Sequence, residues 1–250
     1  MFMGIRILKN TQIIVLGICI AVATIASSFI ISHGLMKIMK FREEQVTVTG
    51  AAQKDIKSDF ISWTCSFSAR SENLAGAYAK LSNDLPVVKK YLILKGVPEN
   101  QIVVSQIYTT TLYQKNEKGN DTNAIQGYLL SENIDIRSDE VDKITEISRD
   151  STELINQGIE FASYAPQYTY TKLDSLKVEM LSEASENARQ RAMSMVTAAG
   201  NKIGFMRSSK MGVFQITPVT STEISDYGVN DTSSLYKKVT AVVSASFAIE

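Results

Sequence analysis

Residues 58–70 read SDFISWTCSFSAR, and this stretch decides the class of fold. Apolar side chains occupy alternate positions, and Ser or Thr occupies the positions between them. The apolar set is Ile61, Trp63, Cys65, Phe67 and Ala69. A period of two is typical of a β-strand with one buried face and one face in water. The stretch therefore predicts a strand that lies against a hydrophobic core.

The period changes to that of a helix directly after this strand. Apolar residues then recur at steps of three and four, at Leu74, Tyr78, Leu81, Leu85, Val88 and Leu92. Ser71 or Asn73 can cap the start of this helix, and Gly96 can close it. Pro86 predicts a kink or a break inside it, because proline has no backbone N–H.

The same reasoning assigns the remaining segments. They are a strand at 102–113, a polar loop at 114–126, a strand at 127–137, a helix from Asp139 to near Gly158, a strand at 159–170 interrupted near Pro166, an Ala-rich helix at 173–199, a strand at 205–216, a polar loop at 217–236 and a strand at 239–249. The order from 58 to 170 is β-α-β-β-α-β, the ferredoxin-like order, and α-β-β follows. We therefore predict an α+β fold with mixed or antiparallel sheets and packed helices.

An apolar run precedes this domain. Residues 13–31 carry no charge, and 19 residues at 1.5 Å each span about 28 Å, close to the thickness of the hydrocarbon core. The first 42 residues contain five basic residues and no acid. We predict an N-terminal signal anchor at 1–42, with a transmembrane helix at about 13–31, and an extracytoplasmic domain at 43–250. Two fused α+β subdomains within 43–250 are an alternative to one cooperative unit.

A cleaved signal peptide is the rival interpretation of the apolar run. Small residues at 21–23 and 26–28 could serve for cleavage, but the run continues past both through residue 31. The basic residues that flank the run are nearly balanced, with Arg6 and Lys9 before it and Lys37, Lys40 and Arg42 after it. We favour a cytoplasmic N-terminus, although the charge count alone does not decide the orientation.

Composition excludes several classes of protein. The chain has 26 basic and 26 acidic residues, which argues against nucleic acid as the main partner because phosphate binding needs a basic face. Two cysteines exclude a disulfide framework, and their spacing does not resemble a zinc site. No catalytic, cofactor-binding or metal-binding residues are predicted.

Three stretches within the domain form a pattern in order and spacing. They are residues 94–102; Gly127-Tyr128 leading through Ile134-Asp135-Ile136-Arg137 to Val141-Asp142-Lys143-Ile144 and then Gly158-Ile159-Glu160-Phe161; and the set Ala188-Arg189, Ala192, Ala199-Gly200 and Ile203-Gly204. Together these stretches resemble the SIMPL domain family. The resemblance covers roughly residues 46–250. It implies an extracytoplasmic domain that can self-assemble into large rings, with roles in envelope integrity and oxidative stress. It supplies no agreed catalytic residues.

Individual polar residues have simpler structural explanations than functional ones. His33, the single histidine, is expected at the lipid interface rather than at a metal or catalytic site. Cys65 is expected to be a buried, inert thiol, and Cys19 lies in the apolar run, so no bridge between them is expected. Asp139, Glu140 and Asp142 are expected to complement a helix dipole rather than to bind a cation.

The remaining candidates for functional residues are charged helix faces and two glycosylation triplets. Lys89, Lys90, Arg189 and Arg191, together with Glu183 and Glu186, are expected to be solvated. Asn120-Asp121-Thr122 and Asn230-Asp231-Thr232 match the acceptor triplet, which is common by chance in polar loops.

Three functions remain open on this evidence. The first is a non-enzymatic, membrane-anchored protein that forms a homo-oligomer and has a structural or stress-protective envelope role. The second is a binding module that presents loops 114–126 and 217–236 to a ligand or to an envelope protein partner, since loops of this length are often functional. The third is a hydrolase, for which the sequence offers no pairing of a nucleophile with a base.

Overall fold

The computed structural model describes the backbone of residues 2–250 and the side chains of residues 14–36 and 44–250. The basic residues that flank the apolar run, on which the orientation depends, lie outside the described side chains. The helices are α1 (Phe2–Glu43), α2 (Leu74–Leu94), α3 (Val141–Asp150) and α4 (Leu173–Ala198). The strands are β1 (Gln45–Lys57), β2 (Phe60–Ser71), β3 (Ile102–Val104), β4 (Tyr108–Lys115), β5 (Asp121–Ser138), β6 (Glu160–Ser163), β7 (Gln167–Thr169), β8 (Ile203–Met211), β9 (Gln215–Pro218), β10 (Val229–Asn230) and β11 (Tyr236–Ile249). The predicted α+β class, with two sheets of mixed and antiparallel strands, is confirmed.

Helix α1 contains the predicted apolar run. Within it, Ile14–Met36 is long and apolar enough to cross a membrane, and none of these residues is buried inside the protein. Membrane anchors and signal sequences both place an apolar helix near the N-terminus.

The chain divides into two compact units. Unit 1 comprises residues 1–50, 185–211 and 243–250, and unit 2 comprises residues 51–184 and 212–242. In unit 1, the C-terminal end of β11 pairs antiparallel with β8, from Val243 opposite Met211 to Ile249 opposite Ile203. In unit 2, the start of β11 pairs with β9, and β9 pairs in parallel with β10.

The second sheet lies entirely in unit 2, and its strand order is β3-β5-β2-β6. Strand β2 pairs with β5 over eleven residue pairs, from Ile61 opposite Ser138 to Ser71 opposite Tyr128. The predicted apolar face of β2 is fully buried, and α2 and α3 contribute Leu81, Val88, Leu92 and Ile144 to the same core. The alternation at 58–70 therefore identifies the strand and also the face of the strand on which the helices pack.

Helix α2 runs without a break through Pro86, so the predicted break does not occur. Asn73 caps its start, and its side-chain oxygen accepts the N–H of Gly76 at 2.7 Å. Pro86 is tolerated because it lies on an exposed side of the helix, where water can satisfy the carbonyl that its missing N–H leaves unpaired.

The predicted polar loop at 114–126 is wrong. Strand β4 continues to Lys115 and β5 begins at Asp121, so only residues 116–120 form a turn. Asn116 closes this turn, because its side-chain oxygen accepts the N–H groups of Lys118 and Asn120 at 3.0 Å. Backbone pairing across an antiparallel ladder needs no apolar side chains, so the polar composition of 121–126 misled the prediction.

Two predicted strands are each divided. The segment 102–113 forms β3 and β4 with a gap at 105–107, and the segment 205–216 forms β8 and β9 with a gap at 212–214. The predicted interruption near Pro166 is confirmed, since β6 ends at Ser163 and β7 begins at Gln167.

The helix that the sequence placed from Asp139 begins at Val141 and passes into a 3-10 helix, Ser151–Gln157, which Gly158 ends with a φ of 82°.

Candidate interaction surface

The predicted loop at 217–236 is shorter in the structure, because β9 extends through Pro218, β11 begins at Tyr236 and β10 occupies Val229–Asn230. The remaining residues form a loop that is held to the rest of unit 2 by side chains. Gln215, a buried residue of β9, donates from Nε2 to the carbonyl of Ser225 at 2.7 Å and accepts the N–H of Ser225 at 3.4 Å. Its side-chain amide thus pairs with both backbone groups of one loop residue, as a neighbouring strand would. Gly228 then turns the chain with a φ of 85° and leads into β10.

The second half of the loop is held by a buried lysine. Lys237 is 2% exposed, and its Nζ donates to the carbonyls of Tyr168 at 2.6 Å and Asp231 at 2.5 Å. Burial lowers the pKa of Lys237, and the charge of Asp231 partly opposes that shift. Burial raises the pKa of Asp231, but hydrogen bonds from Ser233 and Ser234 and the charge of Lys237 outweigh burial and lower it overall. Lys237 therefore joins the loop to β7.

The tip of this loop presents large apolar side chains to solvent. Tyr227 is 99% exposed and Ile224 is 82% exposed. Glu223 and Asp226 stand beside them, and neither carboxylate makes an ion pair with any residue whose side chain the structure describes. We call residues 223–227 the tip. An exposed tyrosine on an anchored loop is characteristic of a protein-recognition surface.

A pocket of about 370 Å³ lies along the second half of α2, also in unit 2. Its walls are formed by Pro86, Val87, Lys90, Tyr91, Leu94 and Gln157. Leu94 is 76% exposed and Val87 is 39% exposed, so the floor is apolar and open to solvent. We call this cavity the α2 pocket.

The charges at the rim of the α2 pocket are unevenly paired. Lys95 lies 3.7 Å from the carboxylate of Asp150 and 3.5 Å from that of Glu153, and the Tyr91 hydroxyl donates to Glu153. Lys90 makes no ion pair with any described side chain. The pocket therefore offers one unpaired positive charge beside an apolar floor.

Unit 1 contains a separate groove of about 570 Å³ between the start of β1 and α4. It is lined by Thr47, Val48, Thr49, Asn187, Gln190, Arg191, Ser194 and Met195. The Arg191 guanidinium donates to the carbonyl of Thr49 at 2.9 Å, so this arginine has a structural partner. Arg189 lies 3.8 Å from Glu186 at the surface, as expected for a solvated helix face.

The structure places the two cysteines apart from any reactive setting. Cys65 is fully buried, and burial, with a contribution from Asp135, raises the pKa of its thiol to about 12. Cys19 lies in the exposed apolar helix, and both cysteines are free. His33 lies in the same helix and stacks on Phe29 with 4.6 Å between ring centroids.

The acidic cluster at the start of α3 is paired with lysines. Asp142 lies 2.6 Å from Lys57, and Glu140 lies 2.8 Å from Lys143. Both pairs border a cavity of about 460 Å³ that Asp139 also lines. Among the residues whose side chains are described, no group of three or more His, Cys, Asp or Glu is arranged to hold a metal ion.

The two asparagines of the glycosylation triplets, Asn120 and Asn230, are both exposed.

Sequence reasoning missed the two residues that anchor the loop. Lys237 lies two residues before Val239 and four before Ala241. The alternation of β11 therefore placed it on the same buried face. Gln215 lies in a short strand with every side chain but the last buried, which alternation does not identify. Tyr227 could have been found as a large aromatic residue within a polar loop.

One glycine of the SIMPL resemblance has a steric role. A Cβ atom at Gly127 would lie 2.7 Å from the backbone oxygen of Ser71, closer than real Cβ atoms approach. Strand β5 can therefore pass the end of β2 only with glycine at this position.

Comparison with known proteins gives one match. The model of the SIMPL family, described as a protein of unknown function (DUF541), matches residues 46–247, which is most of the chain. No curated protein matches the chain. The match spans both compact units and begins just after the apolar helix, and the chain therefore belongs to the SIMPL family.

Proposed function

We propose that this protein is a membrane-anchored, extracytoplasmic and non-enzymatic SIMPL protein that self-associates and has a structural or stress-protective role at the cell envelope. The observation that carries this proposal is the combination of an unburied apolar helix with an anchored loop that exposes Tyr227 and Ile224 to solvent. A side chain held in such a position gains stability when a partner removes it from water.

The anchor supports the membrane part of the proposal. Ile14–Met36 has 23 residues, which as a helix reach about 35 Å and exceed the thickness of the hydrocarbon core. A helix of that length is longer than the apolar core of a usual signal peptide, so we favour an uncleaved anchor. The domain that follows is then tethered to one side of the membrane, which we assign as the extracytoplasmic side.

Light scattering tests self-association. The native mass would be measured on the full chain in detergent and on residues 43–250. A defined oligomer in both samples is expected, and a monomeric full chain across the concentration range would refute the proposal. Protease treatment of sealed vesicles tests the orientation, because an extracytoplasmic domain is digested only from the face that corresponds to the cell exterior.

A binding module is the second candidate, and the anchored loop favours it. The loop at 217–236 retains this role as a hypothesis, whereas the segment 114–126 is mostly a strand ladder and presents only the turn at 116–120. A monomeric chain that captures a specific envelope protein through the tip would favour this candidate.

A further inference from the structure

We propose that the tip of one copy docks into the α2 pocket of a second copy, with Tyr227 on the apolar floor and the acidic residues of the tip facing Lys90. This contact rests on the self-association proposed above. It specifies which two surfaces meet.

The tip is prepared for binding by its anchoring. Gln215 fixes Ser225 at the centre of the tip, and the N–H of Tyr227 donates to the Ser225 hydroxyl at 3.2 Å. A loop whose backbone is fixed before binding loses little backbone freedom when a partner covers it. Tyrosine is also among the residues that dominate the binding energy of interfaces.

The α2 pocket has the size and the chemistry to receive the tip. Its volume of about 370 Å³ lies within the range of pockets that enclose small ligands, so it has room for one aromatic side chain. Pro86, Val87 and Leu94 supply the apolar contact. Lys95 is shared between Asp150 and Glu153, whereas Lys90, which lines the pocket, makes no ion pair with a described side chain and can attract a carboxylate.

Charge selects a second copy over a lipid surface as the occupant. The tip carries Glu223 and Asp226 and has no basic residue, so an anionic membrane would repel it. The chain itself carries the complementary site, with an unpaired lysine beside an apolar floor. In a single copy the two do not meet, because Tyr227 is 99% exposed.

Each copy offers one tip and one α2 pocket, which are different surfaces of unit 2. Two copies can exchange them reciprocally in a twofold dimer, or each copy can bind the next in a heterologous series that closes into a ring or continues as a filament. Anchors in one membrane require all copies to share an orientation, which favours rotation about an axis perpendicular to the membrane. A reciprocal dimer and a closed ring both satisfy this requirement, and the native mass of the full chain distinguishes them.

Single and paired substitutions test the contact, with the native mass of the full chain measured in detergent. Tyr227→Ala is expected to raise the dissociation constant between copies at least about 30-fold, as for a residue that dominates an interface. Tyr108→Ala removes another exposed tyrosine, in β4, and is expected to leave the native mass unchanged. Lys90→Glu and Asp226→Lys should each weaken association, and the double variant should restore it. The fluorescence of Trp63 reports whether each variant is folded.

Cysteine cross-linking gives a direct reading of proximity. In a chain with Cys19→Ser, Tyr227→Cys together with Val87→Cys should form covalent oligomers on mild oxidation, whereas Tyr108→Cys with Val87→Cys should not. If the wild type is oligomeric but neither the masses nor the cross-links depend on these residues, the contact is refuted and self-association stands. If the wild type is a monomer, self-association fails and the contact fails with it.

Discussion

Replacement of Lys237 by Met tests how much the buried ammonium contributes to stability. Methionine keeps a long apolar side chain but cannot donate to the carbonyls of Tyr168 and Asp231, which lie 2.6 and 2.5 Å from Nζ. A buried acceptor without a partner costs about 1–3 kcal/mol, and removal of a desolvated charge offsets part of that cost. We expect the free energy of unfolding to fall by about 3 kcal/mol. For a unit of this size the melting temperature should fall by roughly 6–12 °C.

Trp63 is the single tryptophan and is fully buried in unit 2, so its fluorescence follows unfolding of the unit that contains Lys237. The matched control is Lys238→Met, which removes the neighbouring lysine from the opposite, half-exposed face of β11. Lys237→Met and Lys238→Met would be unfolded side by side in detergent. Agreement of the two variants within about 0.5 kcal/mol would refute the argument, because surface substitutions usually stay within that range.

The pH dependence of stability, compared between the wild type and Lys237→Met, adds a second test. Burial holds the pKa of Lys237 below its ordinary value of 10.5 in the folded chain. The folded state therefore loses this proton before the unfolded state does, and folding becomes more favourable as pH rises from the folded pKa to 10.5. The stability advantage of the wild type over Lys237→Met should grow across that window.

Three further predictions concern the core of unit 2. Because burial raises the pKa of Cys65 to about 12, its thiol in a Cys19→Ser chain should resist iodoacetamide at pH 8 and react only after denaturation. Burial, partly opposed by Lys89, raises the pKa of Glu132 above 4.5, so Glu132→Gln should raise the melting temperature at pH 7. This gain should shrink as pH falls and disappear below 4.5, where both the folded and the unfolded state are mostly protonated. Gly127→Ala should lower the free energy of unfolding, measured in urea, by about 1–3 kcal/mol through its clash with Ser71.

Exposed neighbours supply the controls for these three. Glu146→Gln alters an exposed glutamate of α3 and should show no gain at pH 7. Gln126→Ala changes an exposed residue beside Gly127 and should cost less than 0.5 kcal/mol. Rapid alkylation of Cys65 in the folded chain would contradict its burial.

The fold was predictable where large apolar side chains alternate without interruption, and not for β1, whose buried face includes Gly50 and Ala52. Strand β2 and the C-terminal part of β11 show unbroken alternation, and the structure buries the predicted side of each. The ladder of β4 and β5 was not predictable in the same way, because both of its faces meet water over residues 121–126. Backbone hydrogen bonds hold that ladder, and they leave no periodic signal in the side chains.

The candidate surface was predictable only in part. The length of the loop at 217–236 indicated a functional segment, and the structure keeps it as a loop apart from the short strand β10. Its rigidity depends on Gln215 and Lys237, which act through backbone groups far along the chain. The α2 pocket depends on how the 3-10 helix lies beside α2, and no local pattern encodes that arrangement.

Pro86 has a consequence for the motion of helix α2. Proline cannot donate to the carbonyl of Ser82, an exposed residue, so water can take the place of one internal hydrogen bond there. The two halves of the helix can then open separately, and amide hydrogens at 87–94 should exchange with deuterium at a different rate from those at 77–85. Val87, Lys90 and Leu94 all lie in the second half. The surface that we assign to a neighbouring subunit thus lies in the half of the helix that follows the missing hydrogen bond.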